Sequence, residues 1–264
     1  MTRRRRIRRT LIGIAAAPVL AAVVLGAEVQ LARRGPDLPD DTPLQHDGLI
    51  GGDGGAGSAD VDPLRITWLG DSTAAGVGAS SADEALPRRV ARALDRAVEV
   101  SSLAVSGARL GDVLGRQLPR LATLRPDIVI VSIGANDAVH LTSLGTFRDQ
   151  YTTLVRSIPS GTLLVLLGVP DMGAPPRFLQ PLRAIAGLRG RQLDQVTRTT
   201  AERSGASYVD IAGQTGPVMR SDPGRYFAAD RYHPSDDGYA LWARAVVDEL
   251  GVVLADRGAA DAAG

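Results

Sequence analysis

Four short blocks of the sequence combine glycine with side chains that can donate, accept or transfer a proton. They are Gly70-Asp71-Ser72, Ser106-Gly107-Ala108, Gly134-Ala135-Asn136-Asp137 and Asp230-Arg231-Tyr232-His233. A serine directly after a strand can present its hydroxyl and its own backbone N–H to one ligand atom. The missing side chain of Gly107 lets a ligand approach another backbone N–H, and Asn136 supplies a neutral amide donor. These groups can act together only if the fold brings the four blocks to one place.

Apolar runs and amphipathic stretches alternate from Leu64 onward, and their order predicts where the blocks lie. Strand-like runs cover 65–69, 98–104, 128–133, 163–167 and 208–211. Helical patterns cover 82–97, 110–124, 144–158, 178–204 and 235–250. Five βα repeats predict a five-stranded parallel sheet with right-handed crossovers and helices on both faces. Ligands bind beyond the carboxyl ends of such strands, where three of the blocks lie; the fourth precedes the last helix.

Composition narrows the chemistry that the chain can perform. Hydrophobic residues make up 44% of the chain but aromatic residues only 4%, which favours an aliphatic α/β core over an aromatic-rich β-sandwich. The chain has no lysine, which excludes a Schiff base, a Ser-Lys dyad and a phosphate-loop lysine. It also has no cysteine, which excludes a thiol nucleophile, a thiolate zinc site and a disulfide. We expect no cofactor.

The N-terminus has the pattern of a targeting segment. Arginines at positions 3–6, 8 and 9 precede an apolar run over 11–27. We interpret 1–32 as a signal peptide or an N-terminal membrane anchor, and favour a retained anchor with the arginines in the cytoplasm. The pair Arg8-Arg9 is also similar to a twin-arginine export signal. We therefore expect an exported protein, either secreted or anchored in the cytoplasmic membrane with its catalytic domain outside.

Charge and low-complexity sequence divide the remainder of the chain. The formal net charge of +1 is smaller than the charge of the six clustered arginines, so the rest of the chain is mildly acidic. This argues against binding to nucleic acid. Residues 33–63 are rich in Pro, Gly and Asp and lack periodicity, which predicts a flexible linker. We expect one folded domain over 64–258 and a disordered tail over 259–264.

In their order and in their placement after strands, the four blocks resemble those of the SGNH/GDSL hydrolase family. The similarity covers residues 64 to about 250. Two positions depart from the family pattern: Thr73 stands where a larger aliphatic residue is common, and Ser102 near where an asparagine often occurs. The resemblance implies a three-layer α/β/α, flavodoxin-like fold.

The resemblance also implies a role for each block. Ser72 would attack an acyl carbonyl, with His233 as general base and then acid, oriented by Asp230. An oxyanion hole would comprise the backbone N–H groups of Ser72 and Gly107 and the Asn136 amide. The implied function is hydrolysis of a carboxylic ester of a small molecule, lipid or carbohydrate through an acyl-enzyme. Two alternatives remain: an acyltransferase that uses the same triad toward a sugar or lipid hydroxyl, and a non-catalytic envelope-binding domain.

The chain contains three histidines, and their contexts differ. His46 falls in the predicted linker, where we expect it to be solvated. His140 follows the third block and either lines the substrate pocket or lies in a surface loop. His233 alone has an acidic residue three positions before it and a proline after it. A metal site built on Asp230 and His233 would lack further His or Cys ligands, so we predict no metal.

Overall fold

The computed structural model describes residues 23–38, 43–51 and 62–263 of the chain. Within these ranges a six-stranded sheet lies between two layers of helices. The strands are β1 (Gly48–Ile50), β2 (Leu64–Gly70), β3 (Val98–Ser102), β4 (Ile128–Ser132), β5 (Leu163–Leu167) and β6 (Ser207–Val209). The helices are α1 (23–33), α2 (Leu86–Ala93), α3 (Leu110–Asp112), α4 (Leu118–Leu124), α5 (Ala135–Val139), α6 (Leu144–Ser157), α7 (Leu182–Ser204), α8 (Ile211–Ser221), α9 (Pro223–Tyr226) and α10 (Asp236–Ala263). The predicted three-layer α/β/α fold is confirmed.

The strand order of the sheet is β1-β3-β2-β4-β5-β6. Strands β2 to β6 are the five predicted parallel strands. The prediction of five strands was incomplete, because β1 adds an antiparallel edge strand with Leu49 opposite Glu99. This strand lies within the segment 33–63 that we interpreted as a linker. Three residues that include a glycine carry too little apolar alternation to indicate a strand.

Both faces of the central sheet are buried, which explains the continuous apolar runs of its strands. In β4, Ile128 and Ile130 pack into one core with α2, α8, α9 and α10. Val129 and Val131 pack into a second core with α3, α4, α6 and α7. Successive residues of a strand point to opposite faces, so a parallel strand covered by helices on both sides has no polar face.

Helix boundaries differ from the predicted ones where proline and glycine occur. Helix α2 begins at Leu86, with Pro87 in its first turn, after a 3₁₀ turn over Ala82–Glu84. Helix α7 begins directly after Pro181. We missed α8, which contains Pro217, because its glycines and proline have low helix propensity. The short helices α5 and α9 were also missed, and α10 continues to Ala263 through most of the predicted tail.

Helix α1 is the described part of the segment interpreted as a signal peptide or anchor. Residues 1–22 of that segment lie outside the described residues. Across the described ranges, no helix combines the length and the apolar character that crossing a membrane requires.

The segment that precedes β1 packs under the loop after β2 and buries His46. This side chain is 3% exposed, and its Nε2–H donates to the carbonyl oxygen of Ala75 at 2.9 Å. Burial lowers the pKa of His46, against the opposing effect of the Ala75 carbonyl. Our expectation of a solvated His46 was therefore wrong, because the β1 segment is docked on the sheet edge.

The carboxyl end of β2 is held by a buried side chain from the π-helical turn Val113–Gln117. The Oε1 of Gln117 accepts the Gly70 N–H at 2.8 Å, and its Nε2 donates to the Gly70 carbonyl at 2.8 Å. Gly70 has a φ of 148°, and a Cβ on it would collide with the carbonyl oxygen of Ser132 in β4. Only glycine fits here, and the amide of Gln117 pairs with both of its backbone groups.

We predict that Gln117→Leu destabilises the fold. The Gly70 N–H would remain buried without an acceptor, which lowers the free energy of unfolding by about 1–3 kcal/mol. The control is Gln195→Leu, which removes an amide from the exposed surface of α7 and changes stability by less than about 0.5 kcal/mol. Denaturant unfolding of both variants measures the difference. Equal stabilities would contradict the anchoring role of Gln117.

Candidate active site

Ser72 lies in the first turn after β2 and is 4% exposed. On one side of it, the Asp71 N–H donates to the carbonyl oxygen of Ser132 at 3.0 Å. On the other side, the Val77 N–H donates to the Ser72 carbonyl at 2.9 Å. These hydrogen bonds fix the backbone around Ser72 at the carboxyl edge of the central strands.

The fourth block forms a tight turn between α9 and α10. Asp230 Oδ1 accepts the backbone N–H groups of Tyr232 and His233 at 3.0 and 3.1 Å. Arg231 has a φ of 60°, and its N–H donates to the Ala228 carbonyl at 2.8 Å. The turn therefore points the Asp230 carboxylate and the His233 imidazole toward each other.

The side chains of Ser72, His233 and Asp230 form one hydrogen-bonded chain. His233 Nδ1 lies 2.5 Å from Asp230 Oδ2, and His233 Nε2 lies 2.9 Å from Ser72 Oγ. The His233 side chain is 16% exposed and that of Asp230 5%. With the proton of the neutral ring on Nδ1, Nε2 accepts the hydrogen bond of the serine hydroxyl. The structure thus brings together three residues that lie up to 161 positions apart in the sequence.

The environment of Asp230 stabilises its charged form. Burial alone would raise its pKa, but the hydrogen bond and charge of His233 and the two backbone N–H groups have the larger combined effect. The pKa of Asp230 therefore lies below its usual value. A carboxylate at this position accepts the Nδ1–H of His233 and so holds this tautomer of the ring.

Asp71 is a second buried acid, next to Ser72 in the chain. Its Oδ1 accepts the backbone N–H of Thr73 at 3.0 Å and the Thr73 hydroxyl at 2.9 Å. Burial raises the pKa of Asp71 to about 6, although both Thr73 contacts and the charge of His233 lower it. The Thr73 hydroxyl also lies 2.7 Å from Ser132 Oγ. Thr73, which departs from the family pattern, thus fixes this carboxyl group.

The two other predicted site residues come from adjacent loops at the same edge. Gly107 follows β3 with a φ of 80°, and its Cα faces open space. Asn136 lies in the first turn of α5, and its Nδ2 donates to the Ala108 carbonyl at 3.1 Å. This bond connects the loop of Gly107 to the helix of Asn136. Since an amide NH₂ has two hydrogens, the second N–H of Asn136 remains for another acceptor.

Two spaces open beside His233. One is a small cavity of about 40 Å³, lined by Ser72, His233, Thr215, Met219, Phe227 and Trp242 among others. The second is an open cleft of about 520 Å³ that includes Asn136, His140 and His233. His140 is exposed at this cleft. Tyr232 supports the imidazole edge-on, with ring centroids 5.0 Å apart.

The described residues contain no cluster of three His, Cys, Asp or Glu side chains suited to a metal ion. The carboxylates at the start of α10 have protein partners instead. Asp236 accepts the N–H and hydroxyl of Ser80 at 2.8 and 2.6 Å, and Asp237 pairs with Arg225 at 2.8 Å.

A serine at the end of a central strand, hydrogen-bonded through histidine to a buried aspartate, gives this α/β domain the groups of a serine hydrolase. Residues 68–241 match the GDSL-like Lipase/Acylhydrolase family. The chain belongs to this family, which confirms the resemblance drawn from the four blocks.

Individual relatives support the same assignment. A GDSL-like esterase of Mycobacterium tuberculosis is 32% identical over 185 residues, which cover 67% of this chain and 59% of that protein. The chain therefore spans less than two thirds of this relative. An acetylxylan esterase of Geobacillus stearothermophilus is 26% identical over 165 residues, or 58% of this chain and 73% of that protein.

A solved structure supports the fold. The lipase/acylhydrolase from Enterococcus faecalis superimposes with a TM-score of 0.59 over 71% of this chain and 95% of its own, at 24% identity.

Sequence reasoning missed Asp71, Thr73 and Gln117 as parts of the site. Asp71 and Thr73 flank Ser72, so their position in the first block was an available signal. No sequence signal pointed to Gln117, because a glutamine in a helical pattern is expected at the surface unless its contact with Gly70 is known.

We predict that Asp71→Asn reduces the pH dependence of stability. The folded protein binds the Asp71 proton more tightly than the unfolded chain, so native stability falls as the pH rises from about 4 to about 6. The neutral amide removes this loss, which amounts to at most roughly 3 kcal/mol. Denaturant unfolding at pH 4 and pH 7 measures it. Asp149→Asn, at an exposed position of α6, should retain the wild-type dependence; an equally steep dependence in Asp71→Asn would contradict the prediction.

Proposed function

We propose that the chain is a serine hydrolase that cleaves carboxylic esters through an acyl-enzyme on Ser72. The observation that carries the proposal is the hydrogen-bonded chain from Ser72 Oγ through His233 to Asp230, with distances of 2.9 and 2.5 Å. Similarity to proteins named as a GDSL-like esterase and an acetylxylan esterase supports an ester as the substrate.

The first half-reaction forms the acyl-enzyme. His233 Nε2 takes the proton of the Ser72 hydroxyl as Oγ attacks the carbonyl carbon. The imidazolium that forms is stabilised by the Asp230 carboxylate, whose pKa is already low. The same Nε2–H then protonates the oxygen of the leaving alcohol, and the ester C–O bond breaks. In the second half-reaction, His233 Nε2 takes a proton from water as the water oxygen attacks the acyl carbon. The bond between the acyl carbon and Ser72 Oγ then breaks, Oγ receives the proton from Nε2–H, and the acid is released.

Negative charge develops on the carbonyl oxygen in each half-reaction. We assign its stabilisation to the backbone N–H groups of Ser72 and Gly107 and to the free N–H of Asn136. The hydrogen bond between Asn136 and Ala108 supports this assignment, because it holds the amide beside the Gly107 loop before substrate binds. One such preorganised donor contributes about 3 kcal/mol to transition-state stabilisation.

We predict that Ser72→Ala and His233→Ala each lower kcat for 4-nitrophenyl acetate by at least about 10⁴-fold, because the nucleophile or its base is lost. Ser157→Ala, at an exposed position of α6, is the matched control and should retain wild-type turnover. Circular dichroism verifies that all three variants are folded. A phosphonate probe should add its mass to wild type and to Ser157→Ala but not to Ser72→Ala. Wild-type turnover in Ser72→Ala would overturn the proposal.

The proposed activity lies outside the cytoplasm. Support comes from the arginines at 3–6, 8 and 9 and the apolar run over 11–27, which have the order of an export signal or anchor.

We predict that protease added to intact spheroplasts degrades the full chain, because an exported domain lies on the outer side of the membrane. Immunoblotting measures the loss, and a cytoplasmic protein in the same spheroplasts serves as the protected control. Equal protection of both proteins would contradict export.

A further inference from the structure

Helix α1 lies upstream of the family-matching region and packs one face on the hydrolase domain. Leu25, Glu28, Val29 and Ala32 are buried or half-buried, whereas Leu31 is 58% exposed. Their spacing of three, four and seven residues is that of one side of a helix. The face of α1 that includes Leu25 and Val29 is therefore in contact with the domain.

Two polar contacts hold α1 against the active-site elements. The buried Glu28 carboxylate accepts the N–H of Leu182 at 2.8 Å, at the first residue of α7. Arg177 donates to the Ala32 carbonyl at 2.6 Å and to the Asp230 carbonyl at 3.2 Å. One guanidinium thus connects the end of α1 with the turn that positions His233.

The open cleft of about 520 Å³ lies between α1, α7 and the end of α5. Its apolar lining includes Leu25, Val29, Val139, Leu141, Phe178 and Ile185. Leu141 is 67% exposed and Ile185 42%, so two large apolar side chains of the cleft are open to solvent. The lining also includes Arg33, Arg177 and Arg189, but most of the lining side chains are apolar, so a hydrocarbon chain would gain more contact there than a sugar.

We infer that α1 forms one wall of the site for the acyl chain of the ester, and that Val29 and Leu25 help to determine the chain length accepted. The inference rests on the proposed function and adds its substrate class: esters of acids with an extended alkyl chain. Asn136 and His233 are among the residues that line the same cleft, whereas Ser72 lines the smaller cavity beside His233, so the carbonyl group would lie where the two spaces adjoin at His233. The smaller cavity beside His233 has room for only about three water-sized groups.

The test compares full-length variants on 4-nitrophenyl esters of increasing acyl length. Val29→Trp narrows the cleft and should lower kcat/KM for the decanoate at least about tenfold, while the acetate changes less than about twofold. Leu31→Trp adds the same side chain on the exposed side of α1 and should leave the whole profile unchanged. Val29→Ala is a milder variant in case tryptophan displaces the helix. It removes two methyl groups from the wall and should lower kcat/KM for the decanoate about fivefold or more.

Each other outcome overturns the inference. An equal loss of kcat/KM for acetate and decanoate would mean that α1 acts only through the stability of the protein. An unchanged chain-length profile would mean that the acyl chain of the substrate does not contact α1. A second series keeps the acyl group as acetate and lengthens the alcohol; selectivity in that series alone would assign the cleft to the alcohol. Wild type that hydrolyses no ester of either series would overturn the proposed function itself. That result differs from hydrolysis with an unaltered chain-length profile.

Discussion

The close approach of β2 and β4 at Gly70 is the constraint on which the active site depends. With a φ of 148° at Gly70, a Cβ would collide with the Ser132 carbonyl, so only glycine permits this backbone conformation beside β4. Because Gln117 pairs with both backbone groups of Gly70, the strand end cannot shift without breaking buried hydrogen bonds. Ser72 follows Gly70 by two residues, so its position is fixed as well.

The site contains two buried aspartates whose surroundings shift their pKa values in opposite directions. Asp230 is stabilised as a carboxylate by His233 and by two backbone N–H groups. Asp71 is buried more completely and receives only the Thr73 donors, so burial dominates and its pKa rises to about 6. The same side-chain type thus loses its proton below its usual pKa in one place and only near pH 6 in the other.

Sequence patterns predicted those parts of the molecule whose signal is local. The apolar run 128–133 predicted β4, because both faces of the strand are buried. Asn136, the only asparagine of the chain, follows the end of this run, so its place at the sheet edge was predicted as well. The order of four blocks predicted which residues meet. The features that were not predicted depend on partners distant in sequence. Strand β1 forms by pairing with β3, and His46 is held by its hydrogen bond to the carbonyl oxygen of Ala75. Their local sequences are too rich in glycine and polar residues to indicate burial.

Strand β1 also affects how the molecule meets copies of itself. An uncovered sheet edge offers a row of N–H and C=O groups to any other chain that can form a strand. With only three residues, β1 occupies that row along β3 and exposes little edge of its own. A chain that began at Leu64 would leave β3 as a bare edge, where its parallel neighbour β2 covers only one side. Residues 48–50 therefore cover one edge of the sheet, at β3, that would otherwise be open to pairing with another chain.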